Sequence, residues 1–139
     1  MNQDVRWQQR FQNFDRALCL LRSALAGRNL ENYNELEMEG LVQRFEYTFE
    51  LAWKTIKDYL ENSGVVLAQV TPATVIKEAF SAKVIADGEL WMEMLKRRNL
   101  LSHTYDFQHF QAAVVAIHAH YLTAFEQLHA LLKKETASS

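Results

Sequence analysis

The chain reads as an all-α protein, an up-and-down antiparallel helical bundle of three long and two shorter helices. Three observations predict this. The 139 residues hold 4 Gly and 1 Pro, where average usage gives about 17 of the two together, so helix breakers are scarce. Apolar residues recur at steps of 4 and 3 over long stretches, the period of an amphipathic helix. Residues with capping side chains stand at the head of most of these stretches. The scarcity of turn residues also excludes a β-sandwich or barrel, which needs a turn signal roughly every 8–12 residues. A hydrophobic content of 49% with 23% charged residues excludes a disordered chain. One domain is expected at this length, over residues 1–134, with 135–139 (from the KKETASS end) as a disordered tail.

The first helix is expected over residues 4–26. Trp7, Phe11, Phe14, Leu18, Leu21 and Leu25 form its stripe, and Gly27 suits the position just past its end. Cys19, beside the stripe, reads as a packed small hydrophobe. The second helix starts after Asn34, which with Glu37 resembles a capping box. Glu35, Glu37 and Glu39 suit the positive end of its dipole. Met38, Val42, Phe45, Phe49, Ala52, Ile56 and Tyr59 form its stripe, and it should end near residues 62–64. If Trp53 lies off that stripe, it marks a second buried face. Glu50 and Lys54 make an i,i+4 pair in the favourable order, read as helix-stabilising. The loop VVLAQ that follows is apolar enough to pack on the bundle. Thr71-Pro72 is an N-cap followed by an N1 proline, opening a short helix to about residue 85. Asp87 caps a fourth helix over 88–101. Asp106 caps the last, to about 134, with Phe110, Val114, Ile117, Tyr121, Ala124, Leu128 and Leu131 as its stripe.

The net charge of −2 does not mark a dedicated nucleic-acid binder, so any such contact should be local. No run of 18 uncharged apolar residues occurs, so no membrane span or membrane partner is expected. The N-terminus MNQDVRWQQRF carries charges where a signal peptide is apolar. The lone Cys19 suits a reducing compartment. Together these predict a cytoplasmic protein. The glycines lie apart, no Gly-rich phosphate loop occurs, and no two histidines share a face in an HxxxH pair. Neither a cofactor nor a metal is expected.

One position breaks the apolar pattern. Arg98 falls on the fourth helix's stripe with Trp91, Met94, Leu95 and Leu101. An arginine there either snorkels or serves a site. His103 follows five residues later, about 140° away on an unbroken helix. A break over residues 102–106 would let it turn back toward Arg98. The joint KRRNLLSHTYDF gathers Lys96, Arg97, Arg98, Asn99, Ser102, His103 and Tyr105. A forked guanidinium suits a phosphate, and an imidazole can move a proton near pH 7. The two suffice for metal-independent phosphodiester cleavage. The bland alternative is that they cap carbonyls or hold an ion pair.

FEYTFELAWKTIKDYL (45–60), TPATVIKEAF (71–80) and ADGELWMEMLKRRNLLSHTYD (86–106) resemble the nucleotidyltransferase substrate-binding proteins. That family lies in the HEPN superfamily and includes the HepT-type toxins. The resemblance covers about residues 5–134. It implies a helical bundle that dimerises and brings two R-x4-6-H motifs into one cleft. It implies metal-independent ribonuclease activity in many members. It also implies a minimal nucleotidyltransferase as antitoxin partner, which in some pairs adds AMP to the tyrosine of R-x4-H-x-Y.

By position, the motif arginine is Arg98, the polar residue after it Asn99, the histidine His103 and the modifiable tyrosine Tyr105. Arg97 also fits an x5 spacing, but Asn99 follows Arg98. Lys96, Arg97 and Ser102 would bind substrate. The chain has no Gly-Ser dipeptide and so lacks the transferase's own signature. Two further readings stay open: a non-catalytic subunit that binds nucleotide or docks the transferase, and a plain helical dimerisation module.

Overall fold

The structure, a computed structural model, describes residues 3–138. The helices are α1 (Gln3–Leu25), α2 (Glu35–Asn62), α3 (Pro72–Ser81), α4 (Gly88–His103), α5 (Phe107–Ala116) and α6 (Leu122–Ser138). A 3₁₀ turn at Leu30–Asn32 and a π turn at Ile117–Tyr121 complete them. The backbone stays right-handed helical at both ends of the π turn, so α5 and α6 form one long helix. This is the expected all-α bundle of three long and two shorter helices. Among the described residues no helix is long and apolar enough to cross a membrane.

The α1 stripe is buried throughout, no residue of it more than 8% exposed. Burying one such large side chain contributes about 1.5–3 kcal/mol, so this face alone commits α1 to the core. Gly27 takes φ +68°, a left-handed conformation that glycine adopts without a Cβ clash, and the chain reverses. α2 then runs antiparallel to α1. Tyr33 donates to the Ala24 carbonyl, Arg44 to Leu20 and Thr48 to Ala17, while Asp58 pairs with Arg10. The capping box forms in full: Asn34 accepts from the Glu37 N–H at 2.8 Å, and Glu37 accepts from the Asn34 N–H at 3.1 Å.

α2 is the central helix, in contact with α1, α3, α4 and α5. It therefore buries more than one stripe: Trp53, Leu41, Thr48 and Thr55 go under with the expected residues. Tyr59 is half-buried, edge-on to Trp7 with ring centroids 5.1 Å apart. In the loop, Val65 and Leu67 pack on the core. Thr71 caps α3 through the Thr74 N–H, and Asp87 caps α4 through the Leu90 N–H.

Five expectations need correction. α3 stops at Ser81, not near 85, because Lys83 takes φ +63° and Val84 and Ile85 turn into the core as non-helical residues. α4 runs through His103, so the break falls at Thr104, which is extended (φ −133°, ψ 122°). The last helix does not end at 134. It continues to Ser138, with Glu135 against the Tyr59 hydroxyl, so the described part of 135–139 is helical; Ser139 lies outside the described residues. Leu132, not Leu131, fills the end of the last stripe. The π turn advances the register by one residue, so Phe125 joins Ala124 in the core and the buried set becomes Ile117, Tyr121, Ala124, Phe125, Leu128 and Leu132. Cys19 is exposed; its neighbours Ala17 and Leu18 take the core positions.

Candidate functional site at the α4–α5 joint

Arg98 lies on the side of α4 that faces α2, as its place on the stripe requires. Its guanidinium forms a salt bridge with the Glu50 carboxylate and donates to Asn99 Oδ1 at 3.1 Å. Glu50 is crowded with donors. The same oxygen accepts from the Trp53 indole N–H at 3.1 Å, and the other pairs with Lys54 at 3.2 Å. Burial alone would raise the Glu50 carboxyl, but the Trp53 and Lys54 hydrogen bonds and the Arg98 charge hold it below the ordinary glutamate value.

One turn earlier on α2, Glu46 meets Ser102. The Ser102 hydroxyl donates to the Arg98 carbonyl at 3.0 Å and reaches Glu46 at 3.5 Å. Burial raises the Glu46 carboxyl, with Ser102 and Arg98 only partly opposing it. Two turns further back, Glu39 accepts from the Tyr105 hydroxyl, and that bond raises the tyrosine's pKa. Tyr105 is otherwise open, 82% exposed, with its ring edge-on to Phe110 at 5.4 Å.

α2 thus lays a ladder of three carboxylates against the joint: Glu50 on Arg98, Glu46 beside Ser102 and Glu39 on Tyr105. Sequence reasoning missed it and took Glu50 only as a partner of Lys54. The signal was present. Positions 39, 43, 46 and 50 step by 4, 3 and 4, a polar stripe on a helix whose apolar stripe is already accounted for.

His103 stands elsewhere. It is the last residue of α4 and exposed. Because the helix continues through it, the two motif side chains project about 140° apart, and His103 does not turn back on Arg98. It shares its face with Lys96, Asn99 and Leu100, all exposed. Arg97 turns the other way: its Nε donates to the Tyr121 hydroxyl at 3.0 Å. Tyr121 in turn donates to Glu93 at 2.6 Å, and burial, followed by that bond, pushes its pKa up to about 12. Of the other histidines, His109 stays beside Asp106 and His129 pairs with Asp15 at 2.6 Å. Among the described residues no group of three His, Cys, Asp or Glu could hold a metal ion.

The fold, the joint and its motif point to a known family, and the comparison decides it. Residues 9–134 match the family described as nucleotidyltransferase substrate binding protein like. The chain belongs to this family. A solved relative in this comparison, a crystal structure from Thermus thermophilus, is 32% identical with a TM-score of 0.69, covering 83% of this chain and 94% of that one. A Haemophilus influenzae Rd protein named a probable ribonuclease HepT is 29% identical over 83 residues, 58% of this chain and 54% of that protein. The chain thus spans about half the length of that curated relative. Within the family match lie both halves of the joint, the α2 carboxylate ladder and Arg98–Tyr105.

Proposed function

We propose that this protein is a metal-independent ribonuclease that works as a homodimer, the toxin of a pair whose antitoxin is a minimal nucleotidyltransferase. The observation that carries the reading is the division of the joint. Arg98 is held by Glu50 on the α2 side of α4, while His103 stands exposed on the face it shares with Asn99, without a hydrogen bond or ion pair among the described residues. An acid–base group and a phosphate-binding group that diverge on one helix meet when two copies face each other. Leu100, Phe107 and Val115, exposed around the same joint, supply apolar area for that contact. The resemblance of the HepT protein supports the activity.

In this site His103 accepts the proton of a ribose 2′-hydroxyl, whose oxygen attacks the adjacent phosphorus. The bond to the 5′ oxygen breaks, and the departing oxygen takes a proton from an imidazolium. Arg98 carries the charge that develops on the phosphoryl oxygens, leaving Glu50 for the phosphate, and Asn99 keeps the guanidinium aimed. Lys96, Arg97 and Ser102 are the proposed substrate contacts, with Arg97 already tied to Tyr121 through Nε. The test is purified protein on RNA with EDTA present. Cleavage is expected, and full activity in His103→Ala would sink the assignment.

Silencing by the partner fits the exposure of Tyr105. Transfer of AMP from ATP to its hydroxyl, with pyrophosphate leaving, would break the bond to Glu39 and put a bulky anion two residues from His103, where it competes with RNA for Arg98. If a Tyr105→Phe toxin were silenced as fully by an active transferase, this tyrosine would not be the target. The family's description favours one other reading, a non-catalytic subunit that presents a nucleotide or substrate to the transferase. Nucleotide binding with no RNA cleavage would favour it.

A further inference from the structure

The core and the joint use most of the surface of α2, and one face is left over. Leu36, Gly40, Gln43 and Tyr47 step by 4, 3 and 4, a further helical stripe. It lies about 60° round α2 from the carboxylate ladder, between that ladder and α1. Ala17 and Leu20 of α1 face Gly40, Gln43, Arg44 and Tyr47 across a groove of about 540 Å³, and Leu36 continues the stripe at its head. Large apolar side chains stand open here: Leu36 is 77% exposed, Tyr47 61% and Leu20 53%.

Gly40 is the second observation. It stands inside α2, where glycine costs helix stability relative to alanine. Its φ is not among the positive ones, and a Cβ there would meet no atom within 4 Å. Neither a turn nor packing within the described residues calls for a glycine. What the missing side chain leaves in the groove is room for another backbone to come close.

The charges beside the groove narrow what that is. On the joint side Glu39, next to Gly40, holds the Tyr105 hydroxyl, and the charge of Glu35 reaches the same hydroxyl. Glu46, next to Tyr47, extends this acidic edge toward Ser102. On the α1 side Arg44 is tied to the Leu20 carbonyl. The acidic edge repels a phosphate strand. A second copy docked by the same face would set the acids against their own counterparts, like charge against like. A different protein with cations on that edge meets neither obstacle.

We infer that this face of α2, with Leu20 of α1, is the docking surface for the nucleotidyltransferase partner, whose backbone passes over Gly40 and whose cations face Glu35 and Glu39. The stripe extends about 16 Å along the helix. The inference rests on the proposed pairing and adds where the two proteins meet. An enzyme seated there has Tyr105 at the edge of its footprint. Leu100, on the face of α4 that His103 shares, stays free for the second copy.

The test reads docking apart from cleavage. The full-length protein is titrated with the purified nucleotidyltransferase of the pair by calorimetry, with Tm, dimer mass and RNA cleavage measured alongside. Gly40→Gln puts a helix-favouring side chain into the groove. It is expected to keep or raise Tm, to leave RNA cleavage unchanged and to weaken transferase binding about tenfold or more. Tyr47→Ala is expected to weaken binding about 10- to 100-fold, as loss of an aromatic anchor does. Loss of the dimer in Gly40→Gln would make the face a contact between copies and overturn the inference. So would loss of RNA binding with transferase binding intact. Wild-type affinity in both variants overturns the docking surface and leaves the pairing standing. No binding by the wild type removes the pairing, and the docking surface with it.

Discussion

The Glu50 carboxylate on α2 holds the Arg98 guanidinium on α4, 48 residues away in the chain. The contact fixes the direction of the one arginine on α4's buried stripe, and Glu50 is itself fixed by Trp53 and Lys54. A phosphate that binds Arg98 thus meets an oriented fork, not a free chain, and has only to displace a carboxylate of like charge. Glu50 acts here through Arg98, as a positioning residue.

Glu50→Gln is expected to lower stability at pH 7 by about 1 kcal/mol, in the range for a hydrogen bond to a charged partner at a partly exposed site. It should also lower RNA cleavage about tenfold or more, since misaimed positioning groups cost catalysis that much. The stability effect depends on pH. The folded carboxyl lies below the ordinary glutamate value, so its contribution is present above that value and lost as pH falls through the depressed one. Thermal melts of wild type and variant should therefore converge in acid. A gap that persists there would assign the effect to packing.

Glu46, one turn away, should behave in the opposite sense. Its folded carboxyl is raised by burial, so the ionised form is a burden to the fold and protonation relieves it. Glu46→Gln keeps the shape and the contact with Ser102. It is expected to raise Tm at pH 7 and to lose that advantage as pH falls and the wild-type carboxyl takes up its proton. Destabilisation at neutral pH would show that Glu46 is held as an anion by Arg98 after all.

Much of this fold was legible in the sequence. Local signals did well where one side chain decides: Asn34 with Glu37, Thr71 before Pro72, Asp87, Asp106. The α1 stripe needed only its period. Failures came where tertiary contact overrode local preference. α3 stopped early because Val84 and Ile85 gain more from the core than from another helical turn. The π turn has no breaker to announce it, only His118-Ala-His120 in an ordinary helical context. Of the site, the cluster Lys96–Tyr105 was readable, but its inner geometry was not. A capped break was expected to sit before His103, and it sits after it. The ladder of Glu39, Glu46 and Glu50 lies on a different helix, so no spacing within the KRRNLLSHTYDF joint could show it.

If each active site joins Arg98 of one copy to His103 of a second, two inactive variants should repair one another. Arg98→Ala and His103→Ala are each expected to be inert on RNA. His103 is exposed and, among the described residues, unbonded, so its removal should change stability by less than about 0.5 kcal/mol. Refolded together at equal concentration, they form mixed dimers in which one site is intact and the other doubly altered. Activity should return to about a quarter of wild type, since half of the dimers are mixed and each keeps one of two sites. No recovery, with mixed dimers demonstrated by mass, would place the whole site within one copy.

Tyr121 offers the sharpest test of the framework behind the site. It sits fully buried in the π turn, receives Arg97 Nε and donates to Glu93. Tyr121→Phe keeps the ring stack on Phe45, whose centroid is 5.3 Å away, and removes only the hydroxyl. The loss of two hydrogen bonds to charged partners should cost about 1–3 kcal/mol. Its pH dependence gives a second handle. The folded hydroxyl titrates at about 12, against 10.0 ordinarily. Its contribution is therefore complete below the ordinary value and lost as pH rises through that window. Wild type should lose stability between those values more steeply than Tyr121→Phe, and the two melting curves should draw together at the alkaline end. Arg97, freed from Nε bonding in the variant, should also hold RNA less firmly. Cleavage unchanged beside a clear loss of stability would confine the network to the fold.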